Sequence, residues 1–537
     1  MTSARSTDRS SGVGDPLDTF CRDHLPPRDQ WPELIFELPE LQYPERLNAA
    51  VELLAGPADD RPCVRGGGGA GNETAWTYGE LRAQAARIAA VLVEDAGLVT
   101  GNRVLLRGPN EPWLVACWLG VLLAGGVAVT TMPMLRAQEV AAISELSQPS
   151  LALCHEGFTD ALPDLPTLSY PAELDGRCAA KPPTFAPART AADDVALLAF
   201  TSGTTGRPKA TMHMHRDVLA IADTFSRHVV RIEPDDVVAG TPPIAFTFGL
   251  GGLVVFPMRA GASMVLLDKV TPDQLADAIG EEGVTVLFTA PTAYRAIIAA
   301  GKVDRLGRLR RAVSAGETLP ASVWHAVHDA TGLRIIDGIG STEMLHVFIA
   351  SADDDIRPGT TGRVVPGYRA AILDDDGSPV PDGTPGHLAV KGPTGCRYLD
   401  GDRQLGYVRH GWNLTGDTFV RDADGYFTYL ARSDDMIVSS GYNISGPEVE
   451  QALLGHPDVL DCAVVATPDE QRGAVVTAYV VLREGAEPDA AALQAFAKAT
   501  IAPYKYPRIV RFVPALPRTS TGKLQRYVLR ERAEGRS

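Results

Sequence analysis

The chain has 537 residues, of which 45% are hydrophobic and 22% are charged. This composition is that of a globular protein, and a chain of this length is expected to divide into two or more domains rather than to fold around one core. The formal net charge of −16 argues against nucleic acid as the main partner, because the sequence has no basic stripe to neutralise phosphates, and an anionic ligand would therefore need local positive sites.

Residues 1–17 are expected to form a disordered tail, because the segment MTSARSTDRSSGVGDP is polar. The tail lacks the apolar stretch of a signal peptide. The seven cysteines are scattered along the chain without a C-x-x-C pair, which is typical of reduced thiols. These features favour a cytoplasmic protein.

An uncharged stretch, residues 112–135, is about as long as a membrane span. Gly125 and Gly126 divide it into an apolar helix and a short strand rich in valine and threonine, a pattern typical of the interior of a soluble βαβ unit. We therefore expect a buried helix and strand here, and no membrane partner.

Strand and helix patterns alternate along most of the chain. Residues 18–54 mix prolines and aromatic residues before an amphipathic helix, and residues 64–78 resemble a hairpin around the Gly66–Gly69 run. The alternation predicts parallel βαβ units in two α/β subdomains. The predicted elements are helix 79–96, strand 104–106, helix 113–123, strand 127–130, helix 136–146, strand 151–154, strand 195–200, helix 217–227, strand 237–240, strand 263–267, helix 272–281, strand 284–288, helix 292–300, strand 311–314, helix 320–331 and strand 334–337.

From about residue 362 the pattern changes to short strands separated by DDDG, PDGTPG and RDADG turns, which predicts a small β subdomain ending near residue 430. The remaining residues resemble a separate α+β domain of roughly 100 residues. The predicted fold class is therefore α/β. A large N-terminal domain, residues 18–431, contains two parallel α/β subdomains and the small β subdomain, and a small α+β domain follows over residues 432–537.

The stretch FTSGTTGRPK, residues 200–209, has the composition of a phosphate-binding loop. Its small residues would let backbone N–H groups approach an anion, its hydroxyl groups can donate hydrogen bonds, and its lysine adds positive charge. It matches neither the Walker A pattern nor the dinucleotide fingerprint. A flexible surface loop is the alternative. The predicted phosphate-binding residues are Thr201, Ser202, Gly203, Thr204, Thr205, Gly206 and Lys209.

Five further motifs follow this loop in order: SAGE at residues 314–317, DGIGSTE at 337–343, TGD at 415–417, RSDD at 432–435 and PRTSTGK at 517–523. Together with the loop, they resemble the motif series of the acyl-adenylate-forming superfamily, which includes acyl- and aryl-CoA ligases, peptide-synthetase adenylation domains and luciferases. The resemblance covers nearly the whole chain from Asp18. It implies that ATP activates a carboxylic acid as an acyl-AMP, a reaction that needs charge cancelled as two anions meet.

The resemblance also implies a nucleotide site. Glu343 would hold Mg²⁺, and Thr342 would donate to the α-phosphate. Taken alone, Glu343 could be an acid at the start of a helix and Asp417 a turn residue. By the resemblance, Gly316 and Asp337 flank the adenine, and Asp417 and Arg432 hold the ribose hydroxyls. Glu317 and Gly338 are also implied to bind ATP.

The resemblance implies that the C-terminal domain is mobile and that three of its residues serve the two half-reactions, adenylation and thioester formation. Lys523 resembles the catalytic lysine that bridges the substrate carboxylate and the α-phosphate, although a lone lysine would normally be a solvated surface residue. Asp434 matches the hinge between adenylation and thioester formation, or is an exposed salt-bridge partner. Gly441 matches the glycine beside the pantetheine tunnel, where a side chain would block the thiol of CoA. The chain departs from the family at Ala431, where many members have glycine, and at Asn443, where several have arginine.

Two stretches, FTFGLG at residues 246–251 and GIGSTEMLHVF at 338–348, resemble benzoate and 2-aminobenzoate CoA ligases, and the segment DTFCRDHLPPRDQWPE resembles the 2-aminobenzoate branch. In such a pocket a flat ring can lie against an aromatic face and small glycine walls. His346 could instead be a packed core histidine. The implied substrate residues are Phe246, Phe248, Gly249, Ile339, Gly340 and His346.

The leading prediction is an aryl-CoA ligase that uses ATP, Mg²⁺ and CoA on a small aromatic acid, as a monomer or homodimer. One alternative is an enzyme that loads an aryl acid onto a carrier protein. Another is a non-catalytic nucleotide-binding or regulatory protein. The presence of Lys523 and of the intact loop at residues 200–209 argues against this alternative. The pair His213 and His215 could suggest a metal site, but no third ligand is placed near it in sequence, and we expect packing or a surface position.

Overall fold

The computed structural model describes residues 16–66, 74–201, 208–268, 270–399, 401–432, 435–439, 442–469, 472–518 and 524–533. Over these residues the α-helices are α1 (Phe20–Asp23), α2 (Ala49–Leu54), α3 (Tyr78–Ala90), α4 (Pro112–Leu123), α5 (Ala137–Ser147), α6 (Ala172–Cys178), α7 (His215–Ile221), α8 (Thr247–Leu250), α9 (Phe256–Ala260), α10 (Pro272–Glu281), α11 (Pro291–Ala299), α12 (Ala321–Thr331), α13 (Gln404–Tyr407), α14 (Gly446–Leu454), α15 (Ala490–Thr500) and α16 (Arg526–Ala533).

The β-strands of the same residues are β1 (Pro62–Gly66), β2 (Thr74–Thr77), β3 (Arg103–Arg107), β4 (Val127–Thr131), β5 (Leu151–His155), β6 (Thr167–Tyr170), β7 (Val195–Thr201), β8 (Lys209–Met214), β9 (Val237–Gly240), β10 (Ser263–Leu266), β11 (Val286–Thr289), β12 (Arg311–Ala315), β13 (Ile335–Gly340), β14 (Val347–Ala350), β15 (Arg363–Val364), β16 (Arg369–Leu373), β17 (Gly386–Lys391), β18 (Val408–Arg409), β19 (Trp412–Arg421), β20 (Phe427–Arg432), β21 (Ile437–Ser439), β22 (Tyr442–Ile444), β23 (Val459–Asp469), β24 (Gly473–Leu482) and β25 (Ile509–Phe512).

Two large sheets form the α/β part of the molecule. One has the strand order β15-β14-β13-β12-β11-β9-β10-β1-β2 and the other the order β6-β5-β3-β4-β7-β8. Their inner strands pair in parallel, as the alternation of strands and helices predicts. Antiparallel pairs lie at the edges, where β2, β8 and β14 each pair with the strand that precedes them in the chain, from which they are separated by too few residues for a crossover connection. The two sheets are therefore mixed rather than purely parallel.

Most of the apolar stretch of residues 112–135 lies inside the protein, although Met134 is exposed. Every residue of α4 is buried. The helix packs closely on α3 because Gly120 has no side chain, and a Cβ there would lie 2.7 Å from Ile88. Among the described residues, no helix is long and apolar enough to cross a membrane.

The C-terminal half has smaller sheets. A five-stranded antiparallel sheet contains β16, β17, β19 and β18, with β20 paired to β19, and a three-stranded sheet contains β23, β24 and β25. The three-stranded sheet and helices α14 and α15 enclose a separate apolar core that includes Val464 and Leu493. The α/β fold class with a small β subdomain and an α+β C-terminal region is confirmed, while the exact division at residues 431 and 432 stays a prediction.

The segment after the Gly/Thr loop differs from the prediction. Residues 209–214 form β8, and the helix predicted over 217–227 is α7, which continues as a π-helix over Ala222–Val230. A strand of six residues directly after a glycine-rich loop gives too weak a sequence pattern to be predicted. Its consequence for the site is large, because β8 pairs with β7 and so closes the loop into a hairpin.

Candidate active site

The hairpin of β7 and β8 carries the predicted phosphate-binding loop at its tip. Thr201 and Lys209 are cross-strand partners at the open end of the ladder, and both side chains are partly buried. The predicted ligands Ser202, Gly203, Thr204, Thr205 and Gly206 lie outside the described residues. The pairing of the two flanking residues fixes where the loop leaves and re-enters the sheet.

Glu343 lies beside this hairpin. Residues 397–399 run along β8, with the Met212 N–H donating to the Arg397 carbonyl at 2.8 Å. The neighbouring Tyr398 donates its hydroxyl to Oε1 of Glu343 at 2.7 Å. Burial raises the pKa of the Cys396 thiol. The charge of Glu343 raises this pKa further and the charge of Lys209 lowers it, so both side chains lie within electrostatic range of Cys396.

Thr342 is held from the other side by a buried histidine. Nε2 of His213 lies 2.8 Å from the carbonyl oxygen of Thr342. A carbonyl can only accept, so Nε2 carries the proton and donates it. Burial lowers the pKa of His213 to about 4, and the ring is therefore neutral at pH 7. The motif Thr342–Glu343 is thus fixed at one residue by His213 and at the next by Tyr398.

A buried ion pair lies next to His213. Nη1 of Arg397 lies 2.7 Å from Oδ2 of Asp217, and both side chains are fully inaccessible. The same carboxylate oxygen lies 3.9 Å from Nδ1 of His213 and accepts from the Met214 N–H at 3.1 Å. Removing one partner of such a pair leaves a buried, uncompensated charge, so the pair is expected to hold α7 and residues 397–399 together.

His213 and His215, for which we expected packing or a surface position rather than a metal site, are both buried. His215 accepts the Ala49 N–H at Nδ1 over 3.1 Å, and both rings are buried. Among the described residues, no three His, Cys, Asp or Glu side chains form a group that could hold a metal ion. Mg²⁺ bound to a nucleotide usually needs only one or two carboxylates in addition to phosphate oxygens. Glu343 fits that role, since a carboxylate that accepts one hydrogen bond keeps further lone pairs.

Asp417 and Arg432 are cross-strand partners on β19 and β20. Nη1 of Arg432 lies 3.2 Å from Oδ1 of Asp417, and the arginine side chain is 46% exposed. Burial raises the pKa of Asp417, while Arg432 acts to lower it and Glu343 acts to raise it. The predicted ribose pair therefore lies in electrostatic range of the predicted magnesium ligand.

The predicted residues around the adenine lie on two neighbouring parallel strands, Asp337 and Gly338 within β13 and Gly316 and Glu317 directly after β12. Gly338 of β13 pairs with Ala315 of β12, and Gly316 then turns the chain with a φ of 91°, a value that favours glycine. Burial raises the pKa of the Asp337 carboxyl well above its usual range, while hydrogen bonds from the Leu319 and Gly338 backbone act to lower it. Asp337 therefore orders the turn that follows Gly316.

Glu317, a predicted ATP-binding residue, makes ion pairs with two arginine side chains. Its Oε1 lies 3.4 Å from Nη1 of Arg518 and its Oε2 lies 3.9 Å from Nη2 of Arg295. Arg518 belongs to the PRTSTGK motif, and its Nη2 also lies 2.7 Å from Oδ2 of Asp461. The C-terminal region is thus docked against the turn after β12. Lys523, Asp434 and Gly441 lie outside the described residues.

The predicted aryl pocket is an aromatic cluster around His346. The ring centroid of His346 lies 5.5 Å from that of Phe248, 4.5 Å from that of Phe256 and 5.4 Å from that of Phe225. Phe248 also meets Phe288 at 5.8 Å. The sequence indicated Phe248 and His346, but Phe225, Phe256 and Phe288 come from distant elements and carry no local signal.

Glycines and a bulge shape the same pocket. Gly249 lies against the Pro243 carbonyl and Gly340 against the His346 carbonyl, where a Cβ would collide with each oxygen. The pairing of β13 with β14 shifts between Ile339 and Gly340, which opens the sheet at this point. Phe246 precedes α8 and is partly buried. The six predicted substrate residues therefore gather at two neighbouring segments.

The sequence model described as AMP-binding enzyme matches residues 54–398, and the one described as AMP-binding enzyme C-terminal domain matches residues 448–523. The chain belongs to this family. It is 34% identical to a benzoate–CoA ligase of Thauera aromatica over 92% of this chain and 97% of that one. It is 35% identical to a 4-hydroxybenzoate–CoA/benzoate–CoA ligase of Rhodopseudomonas palustris, over 91% of this chain and 94% of that one.

A solved structure of the anthranilate CoA ligase AuaEII in complex with anthranoyl-AMP superposes with a TM-score of 0.86 at 30% identity, over 93% of this chain and 99% of that one. The predicted resemblance to the acyl-adenylate-forming enzymes is therefore confirmed. Within an AMP-binding enzyme, the arrangement of β7, β8 and the turn of residues 341–346 can bring a nucleotide and an acid together. The roles of the individual residues stay predictions.

Sequence reasoning missed two tyrosines of the site. Tyr398 reaches Glu343, and the hydroxyl of Tyr407 lies 3.3 Å from Oγ of Ser341. Both are separated from the DGIGSTE motif by more than fifty residues, and no pattern around them marks a role. Only the path of residues 397–399 along β8 brings Tyr398 into place.

Proposed function

We propose that the protein is an AMP-forming aryl-CoA ligase that acts on an acid of the benzoate or 2-aminobenzoate type. One observation carries the proposal: the same short turn, residues 341–346, holds Thr342 and Glu343 beside the phosphate-loop hairpin and His346 in an aromatic cluster. An acid whose ring lay in that cluster would have its carboxylate near the nucleotide. The activities of the benzoate–CoA ligases and of the anthranilate CoA ligase support this assignment.

The reaction has two steps. The carboxylate of the acid attacks the α-phosphorus of ATP, which forms the aryl-AMP and releases pyrophosphate. The thiol of CoA then attacks the acyl carbon, which forms the thioester and releases AMP with the thiol proton passing to solvent. In both steps charge develops on oxygen, and fixed donors and cations stabilise it.

The residues proposed to serve these steps are those that the resemblance to the family implies. Thr342, with its backbone fixed by His213, would donate to the α-phosphate, and Lys209 and Lys523 would add positive charge. Glu343, fixed by Tyr398, would hold Mg²⁺, which supplies charge neutralisation to the phosphates when bound. Asp417 would accept hydrogen bonds from the ribose hydroxyls, with Arg432 beside it.

The test is a panel of acids assayed for ATP-dependent pyrophosphate release, with benzoate, 2-aminobenzoate, 2-hydroxybenzoate, hexanoate and palmitate. We expect release with aryl acids, and an aryl-CoA thioester when free CoA is present. An aliphatic acid that exceeded every aryl acid by about tenfold in kcat/KM, about 1.4 kcal/mol of transition-state preference, would contradict the proposal. Aryl-AMP formation without any thioester from free CoA would favour a carrier protein as acceptor.

A further inference from the structure

Tyr398 engages one oxygen of the Glu343 carboxylate and leaves the other oxygen open. Its hydroxyl donates to Oε1 of Glu343 over 2.7 Å. Among the described residues, Tyr398 is the one hydrogen-bond donor to this carboxylate. The Glu343 side chain is partly exposed, and its Oε2 is neither buried nor hydrogen-bonded. A ligand that approaches Glu343 therefore meets a carboxylate with one oxygen already engaged.

The direction of the Tyr398 hydroxyl is fixed by its surroundings. Tyr398 is only 3% exposed. It forms an antiparallel bridge with Thr211 of β8, and its backbone N–H donates to Oε1 of Gln404 over 3.0 Å. Gln404 is fully buried and donates in turn to the Cys396 carbonyl over 3.0 Å. The phenol therefore holds Glu343 from a segment that is joined to the phosphate-loop hairpin.

Tyr407 lies beside Tyr398 but makes a different contact. The two rings meet edge to face, with centroids 5.8 Å apart. The hydroxyl of Tyr407 lies 3.3 Å from Oγ of Ser341, two residues before Glu343. Both tyrosines thus hold the same turn, and of the two only Tyr398 engages the carboxylate.

The number of open carboxylate oxygens affects which metal ion fits. Ca²⁺ takes six to eight oxygen ligands in flexible geometry and can bind both oxygens of one carboxylate. Mg²⁺ requires a near-ideal octahedron with neighbouring ligand oxygens about 2.9 Å apart, and the two oxygens of one carboxylate lie closer together than this. A carboxylate that offers one oxygen therefore suits Mg²⁺, whereas a carboxylate that can turn freely offers both oxygens to Ca²⁺.

We infer that Tyr398 is a positioning residue that confines Glu343 to one metal-binding oxygen, Oε2, and thereby favours Mg²⁺ over Ca²⁺ as the ion bound with ATP. A phenol carries its proton at neutral pH and a carboxylate only accepts, so the direction of the hydrogen bond is settled. This inference rests on the proposed function, because it requires that Glu343 holds the metal ion of bound ATP. Hydrogen bonds to a metal-binding side chain typically change metal affinity by about 10–100-fold.

Nucleotide binding without any acid tests the inference on the wild-type enzyme. The dissociation constants of MgATP and CaATP are measured by calorimetry at saturating metal, which removes the affinity of ATP itself for each ion from the comparison. No carboxylic acid is present, so the result does not depend on catalysis. We expect MgATP to bind at least about tenfold more tightly than CaATP.

Two tyrosine variants assign this preference. Tyr398→Phe keeps the ring and removes the donor, so Glu343 can turn and offer both oxygens. The affinity for MgATP should fall about tenfold and that for CaATP by no more than about threefold, so most of the preference should disappear. Tyr407→Phe is the matched control. It removes the neighbouring hydroxyl from the same turn and leaves the donor to Glu343, so the preference should remain.

The outcomes separate the inference from the proposed function. Equal affinities of the wild type for MgATP and CaATP would overturn the inference, whether or not the variants fold. Equal losses of both affinities in Tyr398→Phe would overturn it as well, because the hydroxyl would then have a purely structural role. If ATP binds with neither metal, the proposed function fails and the inference fails with it. If MgATP binds as expected but no aryl acid releases pyrophosphate, the proposed substrate is wrong and the role of Tyr398 stands.

Discussion

Nε2 of His213 donates a hydrogen bond to the carbonyl oxygen of Thr342 across 2.8 Å, although the two residues are 129 positions apart in the chain. The bond links β8, which begins at the phosphate-binding loop, to the turn that carries the predicted nucleotide and acid contacts. Two parts of the site that are predicted to contact the phosphates of ATP are therefore held at a fixed separation. Holding reacting groups in a fixed geometry removes a large part of the activation free energy of a bimolecular reaction.

His213→Ala should lower kcat/KM for adenylation by about 10–100-fold, because Thr342 loses its fixed position. His215→Ala is the matched control. It removes an equally buried histidine two residues away, whose hydrogen bond goes to Ala49 instead. Both variants should lose comparable thermal stability, but only the first should lose activity beyond about threefold. Equal losses of activity would mean that His213 has a purely structural role.

The sequence indicated the helices and inner strands because their hydrophobic periodicity is local. It did not indicate β8, since six residues directly after a glycine-rich loop give a weak pattern. The edge strands and the Tyr398 contact with Glu343 depend on chain segments that meet only after the sheets form. The motifs named the residues of the nucleotide site, but the residues that hold them in place, His213 and Tyr398, had no motif.

The same limit explains the aryl pocket. The family resemblance indicated Phe248 and His346. Phe225 lies in the π-helix and Phe256 begins α9, and nothing in the sequence around these two residues distinguishes them from ordinary core residues. A buried aromatic residue in the core and one lining a site have the same local pattern. The tertiary contact alone distinguishes them.

Acid should destabilise the protein through its buried histidines. Burial lowers the pKa of His215 to about 4, while a histidine in an unfolded chain has a pKa of about 6.5. Between these values the unfolded chain binds a proton that the native ring does not, so the free energy of unfolding falls as the pH decreases from about 6.5 to about 4. The expected contribution is about 1.4 kcal/mol per pH unit.

The measurement is urea unfolding of the wild type and of His215→Gln across this pH range. The variant should show a shallower loss of stability with decreasing pH. Glu111 acts in the opposite direction, since burial raises the pKa of its carboxyl to about 7, and it is common to both proteins, so the difference between the two slopes isolates His215. Identical slopes would show that the ring of His215 can take up a proton without cost in the native state.

Lys523→Ala should separate the two half-reactions. Adenylation should fall by about 10²–10³-fold, the scale of losing one preorganised charge donor in the transition state. Thioester formation from synthetic aryl-AMP and CoA should be nearly unchanged. Lys505→Ala serves as the control, because Lys505 lies in the same region and pairs with Glu448 at 2.6 Å. If Lys523→Ala impaired both half-reactions equally, its role would be structural.

The ion pair of Glu317 and Arg518 should favour adenylation over thioester formation. It joins the segment leading to Lys523 to the turn after β12, and it must break if the C-terminal domain turns between the two steps. Glu317→Gln should lower the adenylation rate by about three- to fivefold, since partly exposed ion pairs are worth up to about 1 kcal/mol. The thioester step should not fall. The measurement is the rate of each half-reaction at saturating ATP.

A double-mutant cycle of Glu317→Gln, Arg518→Gln and the two together decides whether this effect comes from docking. The double variant should lose little more adenylation than Glu317→Gln alone, because either single change already removes the attraction between the two positions. Asp461→Asn is the control, since Asp461 pairs with Arg518 within the C-terminal region and its loss should leave the attraction to Glu317 in place. Suppose instead that Glu317→Gln raises only KM for ATP and the two single losses add in the double variant. Glu317 would then act on the nucleotide, and the docking role of the pair would be wrong.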